Sequence, residues 1–236
     1  MFRTYGNMFT SQRRHGRKSG PLSRAIDSVF EPLESRQLFS VTASFAAGVL
    51  TVTGDNNSNS ITVSQNAAGN LLVNNGATSI TGAPATVGNT TLVKILGQGG
   101  SDRITMDETN GVLPAASISG GGGNDTLTGG AGADKFVFRS DSGHDVVTDF
   151  NAAEGDTILL DSQTGVYDGY LGGHLGSLSD GYEVYNSHGT LVCTVHSGDY
   201  NGDGVGDTQF EMSSGATLTL LGVNPDALGS YMLFGG

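Results

Sequence analysis

Two nonapeptides stand back to back in the middle of the chain, GGGGNDTLT at Gly120–Thr128 and GGAGADKFV at Gly129–Val137, and they restrict the possible folds more than any other feature. Both have the form G-G-x-G-x-D-x-U-x, where U is a large apolar residue, Leu127 in the first and Phe136 in the second. The glycines let the backbone take positive φ and turn tightly where a Cβ would resist. The x-U-x tail is a very short strand with U pointing inward, so two repeats make one coil of a parallel β-roll with a turn on each side. A looser copy, GQGGSDRIT, lies at Gly97–Thr105, and its Asp102 precedes Asp125 by 23 residues. A degenerate copy, GDNNSNSIT at Gly54–Thr62, has Asn59 where the others have Asp. A linker merely rich in glycine would not place Asp at the same point of each unit, followed two residues later by Ile, Leu or Phe.

The repeated Asp carries the chemistry. Each turn offers carbonyl oxygens and one carboxylate, and stacked turns on one side face each other. Calcium accepts about six to eight oxygen ligands in flexible geometry and suits such a corner. Charge adds to this: residues 41–236 hold four basic side chains (Lys94, Arg103, Lys135 and Arg139) against 20 acids. A body that acidic repels itself when compact unless cations neutralise it, and its surface excludes nucleic acid as a partner. Residues 1–25 reverse the balance, with six Arg and Lys and no acid, and read as a disordered basic arm.

The repeats resemble the RTX repeats of secreted bacterial proteins and are similar to the C-terminal domain of serralysin-type proteases, over roughly Gly97–Asp161. The resemblance implies a calcium-dependent fold and maps calcium ligands onto Asp102, Asp125 and Asp134. The segment FVFRSDSGHDVVTDFNAAEGDTILLD (Phe136–Asp161) resembles the closing coils of such domains, with D-x-x-x-D-F at Asp145, Asp149 and Phe150. That pattern implies that Asp145 and Asp149 complete the last sites, and leaves Asp141 and Asp156 open between ligand and solvated acid. Upstream, FEPLESRQLFS (Phe30–Ser40) resembles the LEPR-type segment that precedes many exported bacterial proteins, with Ser35 where that segment has Pro. It implies export to the extracellular space or cell surface.

A separate signal is DYNGDGVGD at Asp199–Asp207, which fits D-x-N-x-D-G-x-x-D. Alternating oxygen side chains wrap one cation in this pattern, and Gly204 permits the sharp turn. An EF-hand would need an acid at the twelfth loop position, where Phe210 stands. The flanks read as strands, so the motif is expected as a calcium loop in a β-hairpin, with Asp199, Asn201, Asp203, the Val205 carbonyl and Asp207 as ligands.

The expected class is therefore all-β: a parallel β-roll with flanking β-strands and a C-terminal calcium-loop hairpin. Short runs rich in Val, Ile, Leu and Thr recur between Gly, Asn and Asp clusters, among them Val49–Thr53, Ser60–Ser64, Thr157–Leu160 and Leu191–His196. The expected organisation is a basic arm and export segment (1–40), an N-terminal β region with degenerate repeats (41–96), the RTX β-roll (97–165) and a C-terminal β region with the calcium loop (166–236). A single Cys excludes a disulfide, and no run approaches the roughly 18 apolar residues of a membrane helix. The five histidines include no H-E-x-x-H pair to hold a catalytic zinc, no serine elbow is present, and no enzyme is expected. The function implied is a secreted, non-enzymatic protein that binds calcium ions in order to fold, with a structural or surface role. The alternative is an extracellular carbohydrate-active or polysaccharide-binding module, for which Tyr167, Tyr170, Tyr182 and Tyr185 are the aromatic cluster in the sequence.

Overall fold

The computed structural model describes residues 40–139, 142–161, 182–185, 191–225, 228 and 232–235. The basic arm, all of the FEPLESRQLFS segment except Ser40, and Tyr167 and Tyr170 lie outside the described residues. The chain separates into two units, Met1–Leu38 and Phe39–Gly236, and every described residue belongs to the second.

Strand β1 (Thr42–Ala46) turns back into β2 (Val49–Thr53) through Ala47 and Gly48, both at positive φ. A two-residue loop with that backbone matches the twist of the strands it joins. From there the chain passes back and forth between two sheets. Strand β3 (Ser60–Gln65) pairs with β4 (Leu71–Val73) in one sheet, while β5 (Ile80–Gly82) returns to the side of β1 in the other. Next come β6 (Leu92–Gly99), β7 (Arg103–Asp107), β8 (Ala116–Gly122), β9 (Thr126–Thr128), β10 (Lys135–Arg139), β11 (His144–Val147) and β12 (Thr157–Asp161), alternating between the sheets; β6 and β7 pair in parallel with β2 and β3, and each strand from β8 to β12 pairs in parallel with the strand two before. The last strands are β13 (Tyr182–Tyr185), β14 (Leu191–Gly198), β15 (Asp207–Met212), β16 (Thr217–Leu220) and β17 (Met232–Gly235).

The expectation of an all-β parallel β-roll is corrected by this pairing. Both sheets are mixed, one of eight strands in the order β17-β12-β10-β8-β6-β2-β1-β5 and one of nine in the order β13-β14-β15-β16-β11-β9-β7-β3-β4. Antiparallel pairing joins β1 to β2, β3 to β4, and β13 through β16 in one continuous run. Short 3-10 turns at Asn74–Gly76 and Ala152–Glu154 supply the little helix among the described residues. The physical reason lies in repeat number. Only two clean nonapeptides occur, and elsewhere the chain is free to close its sheet edges with hairpins.

Alternation along the strands sets what is buried. In β1 and β2 every second residue is inside, and Val52, Ile95, Ile118, Phe136 and Ile158 form one cross-strand row. Ile61, Ile104, Leu127, Val147 and Leu220 form the matching row in the other sheet. All belong to a single apolar core. Several of the corners between strands admit no Cβ. Gly123 has φ +118, and a Cβ there would run into the carbonyl of Gly100 on the adjacent level.

Candidate metal centre

At most of the corners an acid stands beside the start of a strand, with Asn59 in that place before β3. Asp102, Asp125, Asp134 and Asp156 directly precede β7, β9, β10 and β12, and Asp145 is the second residue of β11. That placement points the carboxyl at the backbone of the neighbouring level. Asn59 N donates to Asp102 Oδ1 at 2.7 Å, Asp102 N to Asp125 Oδ1 at 2.7 Å, and Asp125 N to Asp145 Oδ1 at 2.9 Å. A second row repeats this, with Ala116 N donating to Asp134 Oδ1 at 2.6 Å and Asp134 N to Asp156 Oδ1 at 2.9 Å. The structure therefore gathers Asp102, Asp125 and Asp145 in one row and sets Asp134 in another.

These carboxyls are buried, each 3% exposed or less. One oxygen of each accepts a backbone N–H. The other oxygen of Asp102, Asp125 and Asp134 is buried with no hydrogen-bond partner. Burying a polar atom without a partner is costly, and burying a charge more so. Burial accordingly pushes the Asp102 carboxyl up to about 6, with the Asp125 charge adding to it, and the Asp134 carboxyl up to about 7, with Asp156, Asp149 and Glu108 adding. Asp145 is pushed up to about 8 by burial and by Asp125, and burial also raises Asp125 and Asp156.

The unpartnered oxygens face glycine. A Cβ on Gly97 would collide with both Asp102 Oδ2 and the Gly120 carbonyl oxygen, so a carboxylate and a carbonyl border the same small space. A Cβ on Gly120 would collide with Asp125 Oδ2, and one on Gly129 would stand 2.7 Å from Asp134 Oδ2. At Gly54 the same space is bordered by Asn59 Oδ1 and the Gly97 carbonyl, so Asn59 does occupy the Asp position of the degenerate repeat.

Beside Asp134 the corner holds further acids. Asp149 accepts Gly129 N at 2.9 Å and Gly130 N at 2.7 Å. Glu108 accepts Leu113 N at 2.7 Å and Ala131 N at 2.8 Å, and Asp156 Oδ2 accepts Asn151 N at 2.8 Å. Sequence reasoning passed over Glu108 and left Asp156 open. The signal for Asp156 was present, because D-x-U recurs at Asp102, Asp125, Asp134, Asp145 and Asp156.

The D-x-N-x-D-G-x-x-D loop does join an antiparallel pair, β14 and β15. Asp199 Oδ1 accepts Gly202 N at 2.7 Å and Asp203 N at 3.1 Å, and its Oδ2 accepts Gly204 N at 3.0 Å. Asn201 Nδ2 donates to Asp203 Oδ2 at 2.8 Å, and Val205 N donates to Asp203 Oδ1 at 2.7 Å, which holds the Asp203 carboxyl below its ordinary value. Asp199, Asn201 and Asp203 thus come together at the surface. Asp207 is fully buried, and its two oxygens accept Tyr200 N and Gly222 N, each at 2.8 Å. It braces the base of the loop.

Among the described residues no three His, Cys, Asp or Glu side chains converge on one point in a manner that would hold a metal. A cation at these corners would draw one carboxylate from each level and its remaining oxygens from glycine carbonyls, as at Asp102 and Gly120. Among the described residues no helix is long and apolar enough to cross a membrane. Compared with known families and with curated proteins, the chain matches no family model and no individual protein.

Proposed function

We propose that this is a secreted, non-enzymatic calcium-binding protein that relies on calcium to consolidate its glycine corners, in keeping with the resemblance of its repeats to RTX sequences. The observation that carries the reading is the set of three buried carboxylate oxygens without a partner, on Asp102, Asp125 and Asp134. Each is one oxygen of an acid whose other oxygen already holds a neighbouring level. A divalent cation would supply the missing partner, relieve repulsion along the row, and tie consecutive levels together. Asp102, Asp125, Asp134, Asp145 and Asp149 would hold it at the corners, and Asp199, Asn201 and Asp203 in the loop, with Asp207 fixing that loop from beneath.

Extracellular calcium modules bind with Kd of about 10⁻⁴–10⁻³ M. A site at a hundred times its Kd adds roughly 2.7 kcal/mol, large against a typical total stability of about 5–15 kcal/mol. Several such sites decide whether the chain folds. Low calcium inside a cell would then leave the acidic chain loose enough to export, and calcium outside would fold it. Far-UV circular dichroism of the wild type with calcium and with excess chelator tests this, alongside the double variant Asp125→Ala, Asp134→Ala. The wild type should lose strand signal in chelator and regain it on calcium addition, and the variant should need more calcium. A wild-type spectrum that chelator leaves unchanged would rule the proposal out.

A further inference from the structure

The loop 199–206 folds over the outer face of the nine-stranded sheet and leaves a cleft of about 450 Å³ between itself and the sheet. The floor is made by residues of adjacent strands: His144 and Val146 of β11, Thr217 of β16 and Gln209 of β15, with Thr219 of β16 buried at its base. Tyr200 overhangs it. A Cβ on Gly198 would stand 3.3 Å from the Tyr200 ring, so the ring lies against bare backbone, and Tyr200 remains 44% exposed. The floor is paired so that it can both donate and accept. Gln209 Nε2 donates to Thr219 Oγ1 at 3.0 Å, and His144 Nδ1 and Thr217 Oγ1 share a hydrogen bond of 3.0 Å.

We propose that this cleft binds a neutral polysaccharide, with Tyr200 stacking on the C–H face of one sugar ring and the Gln209–Thr219 and His144–Thr217 pairs hydrogen-bonding its hydroxyls. An exposed amphipathic ring beside amide, hydroxyl and imidazole groups matches a ligand with one apolar face and a polar edge. With 20 acids against four bases over residues 41–236, the body around the cleft repels an acidic chain. The face continues as a hydroxyl track. Thr148 and Thr128 share a hydrogen bond of 2.7 Å, and Thr128, Thr105 and Thr62 are register partners on successive strands. Their spacing of about 4.8 Å offers an extended ligand one hydroxyl per strand, so a polymer fits better than a single sugar. Asp207 anchors Tyr200 N and Gly222 N through its own carboxylate oxygens, so the proposed binding rests on direct hydrogen bonds and stands apart from the calcium reading.

The test is native affinity electrophoresis of the full chain, with calcium present, through gels carrying a mixed-linkage glucan, a galactomannan, a dextran or alginate. At least one neutral polymer should retard the protein and alginate should not. Tyr200→Ala should weaken that retardation roughly tenfold, the loss of one stacking contact, and Gln209→Ala should weaken it as well, with circular dichroism of both variants as for wild type. Thr128→Val should weaken binding to the polymer while leaving affinity for a disaccharide of the same sugar unchanged. The inference is overturned if no neutral polymer retards the wild type, if alginate alone does, or if Tyr200→Ala and Gln209→Ala both bind as wild type. A failed calcium reading would show instead as a fold indifferent to chelator, with retardation intact.

Discussion

Replacing Asp134 by Asn should stabilise the metal-free protein and destabilise the calcium-bound one. Asparagine retains an oxygen to accept Ala116 N, the 2.6 Å bond that joins two levels, and it removes a charge that is 1% exposed. Burial, followed by the charges of Asp156, Asp149 and Glu108, moves the Asp134 carboxyl from 3.8 to about 7. A carboxyl raised in the folded state gives its full stabilisation below 3.8 and loses it as pH climbs to about 7. At about 1.4 kcal/mol per tenfold in proton affinity, the ceiling on that loss is on the order of 4 kcal/mol, and relaxation of the corner brings the expected gain in Asp134→Asn to about 1–4 kcal/mol at pH 8. Near pH 4 the gain should vanish, because wild type is then protonated. Calcium should reverse the sign, since the ionised carboxylate becomes a ligand that asparagine replaces poorly. Urea midpoints at pH 4 and pH 8 measure this, with sucrose in all samples to keep the metal-free chain within its folded range. If Asp134→Asn is less stable than wild type at pH 8 in chelator, by as much as it is in calcium, the carboxylate is a plain hydrogen-bonding group and the reasoning fails.

Gly120→Ala should cost roughly 1–3 kcal/mol in a urea melt, because its Cβ would press on the Asp125 carboxylate and come within 2.6 Å of the Asp125 Cβ. Gly132→Ala, which meets nothing within 4 Å and carries only the strain of φ +115, should cost less than Gly120→Ala. Asp207→Ala should cost about 2–4 kcal/mol by leaving the N–H groups of Tyr200 and Gly222 without an acceptor, and should abolish retention on the neutral polysaccharide.

Strand positions were legible because they rest on local alternation: Val49–Thr53 is β2, and Leu191–His196 lies within β14. How the strands pair was less so. The nonapeptide specifies a corner and the strand that leaves it, and says nothing of how the chain covers a sheet edge. The Ala47–Gly48 turn that reverses β1 into β2 is a weak signal, since alanine rarely takes positive φ. Likewise β14, β15 and β16 alternate apolar and polar residues in the same way as strands of a parallel ladder, so their antiparallel run has no distinct signature. Glu108 was invisible for a related reason. Its partner Ala131 lies 23 residues away, and the contact exists only once two levels are stacked.

The two groups of acids singled out from sequence differ in a quantity that spacing does not express: the number of carboxylate oxygens left over once nearby backbone N–H groups are satisfied. Asp207 has none left, and so it supports the loop. Asp199 and Asp203 also accept backbone N–H groups, but at the surface, where water serves any remaining lone pair and a cation is exchanged for water at little cost. Asp102, Asp125 and Asp134 each keep one oxygen in the interior with no protein donor to serve it. Only there does removing a cation, or a proton, leave an uncompensated buried charge. If calcium binds at both places, the corners and the loop should accordingly differ in consequence: losing it at the loop would loosen a surface hairpin, while losing it at the corners would loosen the contact between successive levels of both sheets.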